Sequence, residues 1–258
     1  MRFWGMNMLK KVLMITTLVG LSTLAFADQM TLSKAPITLD GNATLTSDYR
    51  FRGVTQTNND PAVQAGFTLA HESGLYVGAW GSNVGFASSL ELDPYIGYST
   101  ALPILGQPTL DIGAWYYAYP SSSDSNWVEY SAKLTFPTVF MQDDRLFTSI
   151  NYANDYLGDD AKGDQWYFNA VYSLPIPASN FDINAGLGYT KTSDYVFGSG
   201  DSKDYLDWKL GVSYNVQAFD GVSAELAAIG SNIDTDDYSS AEKRAVRTGA
   251  VFTLNKTF

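Results

Sequence analysis

Fourteen ionisable residues fall on alternate positions of segments that otherwise read as strands. Nine are acids (Asp40, Asp48, Glu91, Asp93, Asp111, Glu129, Asp182, Asp207, Glu225) and five are bases (Arg50, Arg52, Lys133, Lys209, Arg247). Charges of both signs on one sheet face can line a wet passage and select solutes, or pair as filler that stiffens a wall. Arg50, Arg52, Glu129, Asp207, Lys209 and Arg247 lie toward the same end of their segments, so the two signs should meet there. A second possible chemistry is hydrolysis by His71, Glu72 and Ser73, which include the single histidine of the chain. A relay needs a base that activates a nucleophile or water, and consecutive residues in a tight link seldom supply that geometry. The absence of cysteine excludes thiol catalysis, thiolate metal sites and disulfides. Two acidic stretches, DYLGDDAKGD and NIDTDDYSS, lack the spacing of a helix-loop-helix calcium site. Counting from Asp234, position 6 is Ser239 and position 12 is Ala245, where Gly and Glu are required. They read as solvated loops, and no motif asks for a cofactor or metal.

The elements that carry these charges follow a period of two. Over residues 37–53 the polar set Thr38, Asp40, Asn42, Thr44, Thr46, Asp48, Arg50 and Arg52 alternates with an almost wholly apolar or small set, the mark of a strand. Eleven more candidates follow at 63–70, 75–82, 90–100, 109–119, 127–136, 146–154, 165–174, 181–190, 206–216, 222–229 and 245–258. Twelve is even, as a closed bacterial barrel requires. Odd-numbered strands are followed by polar loops such as VTQTNNDP, NVGFASS and KTSDYVFGSGDSKD, and even-numbered ones mostly by tighter links such as HESG, PIPASN and QAFDG. Outer-membrane barrels show this asymmetry, with long loops outside and short turns in the periplasm.

Alternation alone leaves open which face is wet, because soluble and membrane barrels share the period. Position along the strand decides it. In 166–174 and 181–189 the apolar sets Trp166, Phe168, Ala170, Tyr172, Leu174 and Phe181, Ile183, Ala185, Leu187, Tyr189 place aromatics near the ends and aliphatics between, as two interfacial girdles around a hydrocarbon band would. The opposite faces, such as Asp182, Asn184, Gly186 and Gly188, are small and polar, poor for a dry core and good for a wet lumen. Tyr76, Trp80, Tyr95, Trp115, Tyr117 and Tyr167 also point inward in this register and could close the bore.

The N-terminus reads as an export signal over residues 1–27: Lys10 and Lys11, an apolar run at 12–24, then Ala25-Phe26-Ala27. The barrel is then 28–258. The formal charge is −11, and removing Arg2, Lys10 and Lys11 makes it −14, which disfavours nucleic acid as a partner. The chain ends AVFTLNKTF, with Phe258 on the same face as Leu254 and Phe252, like the terminal signal read by the barrel assembly machinery. Lys256 interrupts that face and could snorkel.

The stretch SDYRFRGVTQTNNDPAVQAGF, followed by SGLYVGAWGSNV and ELDPYIGYS, resembles the TorF family of porins, also catalogued as a conserved hypothetical outer-membrane group. The matching residues include Ser47, Asp48, Tyr49, Phe51, Arg52, Gly53, Gln56, Asp60, Pro61, Gly66, Phe67, Trp80, Ser82 and Asn83, and the likeness is strong over about residues 40–100. The resemblance implies a bacterial outer-membrane barrel and no catalytic residues. The expectation is an all-β antiparallel transmembrane barrel of twelve strands in the outer membrane, in contact with its lipid. It would pass small hydrophilic solutes or ions with mild cation preference, since the long loops carry −8 and the inward face −4. A plugged barrel that acts through its acidic loops, a barrel enzyme and a soluble secreted β-sandwich are the alternatives.

Overall fold

The computed structural model describes residues 30–31, 36–86, 88–160 and 163–258, so the signal segment expected at 1–27 lies outside the described residues. Twelve long strands form the fold: β1 Ile37–Thr46, β2 Ala62–His71, β3 Leu75–Phe86, β4 Ser88–Ala101, β5 Thr109–Tyr117, β6 Trp127–Phe136, β7 Arg145–Ala153, β8 Gln165–Pro175, β9 Phe181–Thr192, β10 Asp204–Asn215, β11 Val222–Ser231 and β12 Gly249–Thr257. Each pairs antiparallel with the next, and β12 pairs back onto β1 through Thr46↔Thr253 to Asn42↔Thr257. The sheet closes into a barrel and leaves no edge. At the seam the Ser47 N–H donates to the Phe252 carbonyl at 2.8 Å, and the Phe258 N–H donates to the Gly41 carbonyl at 2.9 Å. A two-residue strand, Met30–Thr31, adds to β1 near its start.

Burial is inverted relative to a water-soluble protein. Twenty-five strand residues with large apolar side chains are more than a third exposed, among them Val63 (67%), Leu187 (59%) and Leu210 (60%), while Gln64, Asp93, Asn184 and Thr190 are fully buried. Each large apolar side chain left in water forfeits about 1.5–3 kcal/mol. The total is on the order of tens of kcal/mol, against a folded margin of about 5–15 kcal/mol. The outer surface is therefore built for an apolar medium. Its aromatics sit near both ends: Tyr152, Trp166, Phe168 and Tyr189 follow one another across β7–β9 at centroid spacings of 4.7, 6.2 and 6.5 Å at the long-loop end. Phe181 and Tyr214 meet at 4.9 Å at the short-turn end.

Four expected boundaries are corrected. The wall strand predicted over 37–53 stops at Thr46, and Arg50–Phe51 instead pairs with Val54–Thr55 in a small separate hairpin. The loop expected at NVGFASS is mostly strand, because pairing continues past an irregularity near Asn83 to Phe86↔Ser88. β5 ends at Tyr117 rather than 119, and Ala118 forms a single bridge to Leu92. The strand predicted from 245 starts at Gly249, because a helix, α1 (Ser240–Val246), precedes it. Ser239 caps α1: its hydroxyl accepts the Glu242 N–H while the Glu242 carboxylate accepts the Ser239 N–H at 2.8 Å.

Candidate functional site: the bore and its hairpin

The bulky inward aromatics lie flat against the wall because glycines on neighbouring strands leave room for them. Tyr76 covers Gly97 and Gly113, Tyr95 covers Gly78, Trp80 covers Gly66 and Tyr167 covers Gly188. The Tyr76 hydroxyl donates to Asp111 at 2.9 Å, and Tyr95 bonds Thr68 at 2.6 Å and stacks on Trp115 at 4.1 Å. Tyr76, Trp80, Tyr95 and Trp115 thus thicken the wall on the β2–β5 side, and Tyr167 does so at β8–β9.

What crosses the bore is the segment after β1. Its tip is a two-residue turn with Arg52 at φ 51° and Gly53 at φ 82°, the left-handed pair that a tight hairpin demands. Gly53 is required twice over, since a Cβ there would also meet the β11 backbone at Gly230 and the Cβ of Asp207. Asp48 ties the base: its carboxylate accepts Arg50 Nε at 2.7 Å and the hydroxyls of Thr55 and Thr57. Arg50 also donates to the carbonyls of Ile229, Arg244 and Arg247 and to Asn59, fastening the near side to β11 and α1.

In strand order β7 stands across the barrel from β1, and the tip reaches the two strands that flank it. Arg52 donates to Glu129 on β6 and to Gln165 on β8, and its guanidinium lies over the rings of Tyr167 (4.1 Å) and Phe51 (4.5 Å). On the way the hairpin meets β3 through Tyr49 and Trp80 (5.6 Å) and β5 through Phe51 and Tyr117 (5.8 Å). Tyr117 and Trp127 stack at 4.1 Å, and Tyr119, Tyr156, Phe197 and Tyr205 complete a buried cluster in the same half. Farther along the bore, Asn169, Lys209 and Glu225 on β8, β10 and β11 are only half-buried.

Twelve of the fourteen charged positions singled out from the sequence fall into three groups. Four bases pair with acids: Arg50 with Asp48, Arg52 with Glu129, Lys133 with Asp111 at 3.7 Å and Lys209 with Glu225 at 2.6 Å. Three acids bond neutral donors: Glu91 accepts the Tyr119 hydroxyl (3.0 Å), Asp93 the Ala118 N–H (3.4 Å) and Asp207 the Tyr167 hydroxyl (3.3 Å). Arg247 stands just past α1, exposed and off the strands. Asp48, Arg50 and Arg52 lie on the inward segment rather than on the wall, because a hairpin folded into the lumen preserves the period of two past the end of the strand.

Tyr49 and Phe51, which belong to the apolar set that the period of two over 37–53 turns toward lipid, are inside, and the loop rings of Tyr156 and Phe197 carry no periodic signal. Arg-Gly between two short alternating runs was the available sign of the hairpin. At the C-terminus the Phe258 ring is exposed, and Lys256 turns back to donate to the Asp220 carbonyl at 2.6 Å. His71 Nδ1 lies 2.8 Å from the Ser73 hydroxyl and accepts the Ser73 N–H at 3.0 Å, an exposed arrangement that closes the 71–75 turn. Among the described residues no cluster of three or more His, Asp or Glu is placed to hold a metal.

The family described as "Bacterial protein of unknown function (Gcw_chp)" matches residues 31–258. No curated protein matches the chain. Among solved structures, the chain is similar to the NanC porin in its rhombohedral crystal form, at 12% identity and TM-score 0.55, covering 85% of this chain and 98% of that one. It is also similar to the COG4313 outer membrane channel from Pseudomonas putida F1, at 8% identity and TM-score 0.48, covering 87% and 96%.

Proposed function

The chain belongs to the Gcw_chp family of bacterial proteins, and from that premise we propose that it is a porin-like channel of the outer membrane for small hydrophilic solutes or ions. The observation that carries this reading is the inverted barrel: an apolar exterior around a bore lined by Asp, Glu, Lys, Arg, Asn, Ser and Thr. Export through the periplasm, insertion by the barrel assembly machinery through the terminal strand ending in Phe258, and contact with outer-membrane lipid follow from it. The TorF likeness around Asp48–Gly53 supports the same reading.

The bore favours cations mildly. Its bases Arg50, Arg52, Lys133 and Lys209 are each matched by an acid and Arg145 lies near Asp182, while Glu91, Asp93 and Asp207 bond neutral donors and keep acid in excess. The test is the reversal potential of the refolded protein in a planar bilayer under a salt gradient. A cation-selective potential is expected, and an anion-selective one refutes the preference.

A second reading is a plugged barrel that works through its acidic loops. It is favoured by the depth of packing in the long-loop half, where Tyr49, Arg52, Trp127 and Gln165 are all buried. Discrete conductance steps support the channel, and their absence from correctly folded protein supports the plugged barrel.

A further inference from the structure

We infer that the hairpin of residues 50–55 is a displaceable plug and that Arg52 is the residue that latches it across the bore, an inference that rests on the channel reading above. The hairpin's two short strands pair only with each other and add to no strand of the barrel. Its tip is therefore held to the far wall by side chains, not by a backbone ladder. That hold centres on one guanidinium, bonded to Glu129 and Gln165 and seated on the rings of Tyr167 and Phe51.

The near side is built differently. Arg50 is held by Asp48, Asn59 and the carbonyls of Gly53, Ile229, Arg244 and Arg247, and the Asn58 side chain donates to the Gly85 carbonyl at 2.6 Å. The base is fixed many times over, whereas the tip is held by the Arg50 bond to the Gly53 carbonyl at 3.3 Å, by the close approach of Gly53 to Gly230 and Asp207 and, on β6 and β8, by the Arg52 side chain. The latch is also imperfectly satisfied, because Arg52 Nε is buried without a partner. A buried unmatched donor penalises the docked state, and water entering the bore would satisfy it once the tip withdraws. Positive φ values at Asn58 (56°) and Asn59 (67°) place a bend in the return arm. Past the tip, the inward Asn169, Lys209 and Glu225 are only half-buried, polar groups along the path that withdrawal would open to the long-loop mouth.

The test uses the full mature chain refolded into bilayers, with folding checked by heat-modifiable migration. Arg52→Ala removes the latch and should raise open probability roughly tenfold. Because that change strands Glu129 and could prevent folding, a second variant keeps Arg52. Glu129→Gln keeps Arg52 and an oxygen for it to donate to, but removes the charge that makes this hydrogen bond a strong one, and should raise open probability roughly fivefold. A folded Arg52→Ala or Glu129→Gln indistinguishable from a conducting wild type overturns the latch while leaving the channel intact. A silent wild type beside conducting variants supports the latch. Silence of the wild type and both variants together overturns the channel reading and the latch with it.

Discussion

Gly97→Ala probes whether the inward aromatics depend on the glycines beneath them. A Cβ at position 97 would collide with the ring and hydroxyl of Tyr76 and come within 2.7 Å of the Ile112 carbonyl oxygen. Tyr76 is 2% exposed and donates to Asp111 at 2.9 Å, and its hydroxyl also lies over Gly113. The ring has little room to yield. Losing the bond to a carboxylate costs about 1.5–3 kcal/mol, and overpacking adds about 1–3 kcal/mol. Stiffening the unfolded chain returns about 0.4–1 kcal/mol. The net expectation is a loss of about 2–5 kcal/mol, measured by urea titration of the vesicle-inserted protein. Two controls sharpen the result. Gly186→Ala meets only the Val171 side chain at 3.2 Å and Lys209 Cβ at 3.7 Å, so it should stay within about 0.5 kcal/mol of wild type. In a Tyr76→Ala background Gly97→Ala should cost less, because only the contact with the Ile112 carbonyl remains, giving a coupling of about 1 kcal/mol or more. Gly97→Ala as stable as the native chain, with no coupling to Tyr76, would refute the reasoning.

Replacing Glu91 and Asp93 together by Gln and Asn removes acids that face no base, and the reversal potential should move toward zero; a shift toward stronger cation selectivity contradicts the assignment. Asp144, in the turn between β6 and β7, is burdened by burial, but the Tyr172 hydroxyl at 2.6 Å and the N–H groups of Val139, Phe140 and Met141 overcome this and hold its carboxyl down at about 2. Because the folded value lies below the unfolded value of about 3.9, its contribution is complete above pH 4 and fades as pH falls toward 2. Melting temperature should therefore drop over that window in the native chain and less so in Asp144→Asn; equal acid profiles would count against it. Ser239→Ala removes the cap of α1 and should weaken that helix by about 1 kcal/mol, seen as faster amide exchange over 240–246 with unchanged barrel unfolding. Unchanged exchange there would show that the cap contributes nothing.

The wall of the barrel was legible because its signal is periodic. Alternation of the kind seen in Phe181-Asp182-Ile183-Asn184 survives whichever way the sheet curls, and the position of aromatics along the strand then tells which side meets lipid. The inward hairpin was not legible for the same reason. Asp48, Arg50 and Arg52 continue the period of two beyond Thr46, and nothing in that pattern distinguishes a wall strand from a short strand folded into the lumen. Only Gly53, next to a residue forced to positive φ, marks the turn. Pairing partners were equally hidden, since Arg52 meets Glu129 and Gln165 across 77 and 113 residues. The capping box of α1 was present as Ser239 and Glu242, but a polar context made it read as loop.

The inverted barrel is tested most directly by single cysteines introduced into the cysteine-free chain and reconstituted in vesicles. Positions 187 and 210, on the outward face, should resist a water-soluble thiol reagent and place an attached fluorophore within reach of lipid-borne quenchers. Positions 209 and 225, facing the bore, should escape those quenchers. Ready modification of 187 and 210 from water, with lipid quenching at 209 and 225 instead, would contradict the architecture from which every functional statement above is built.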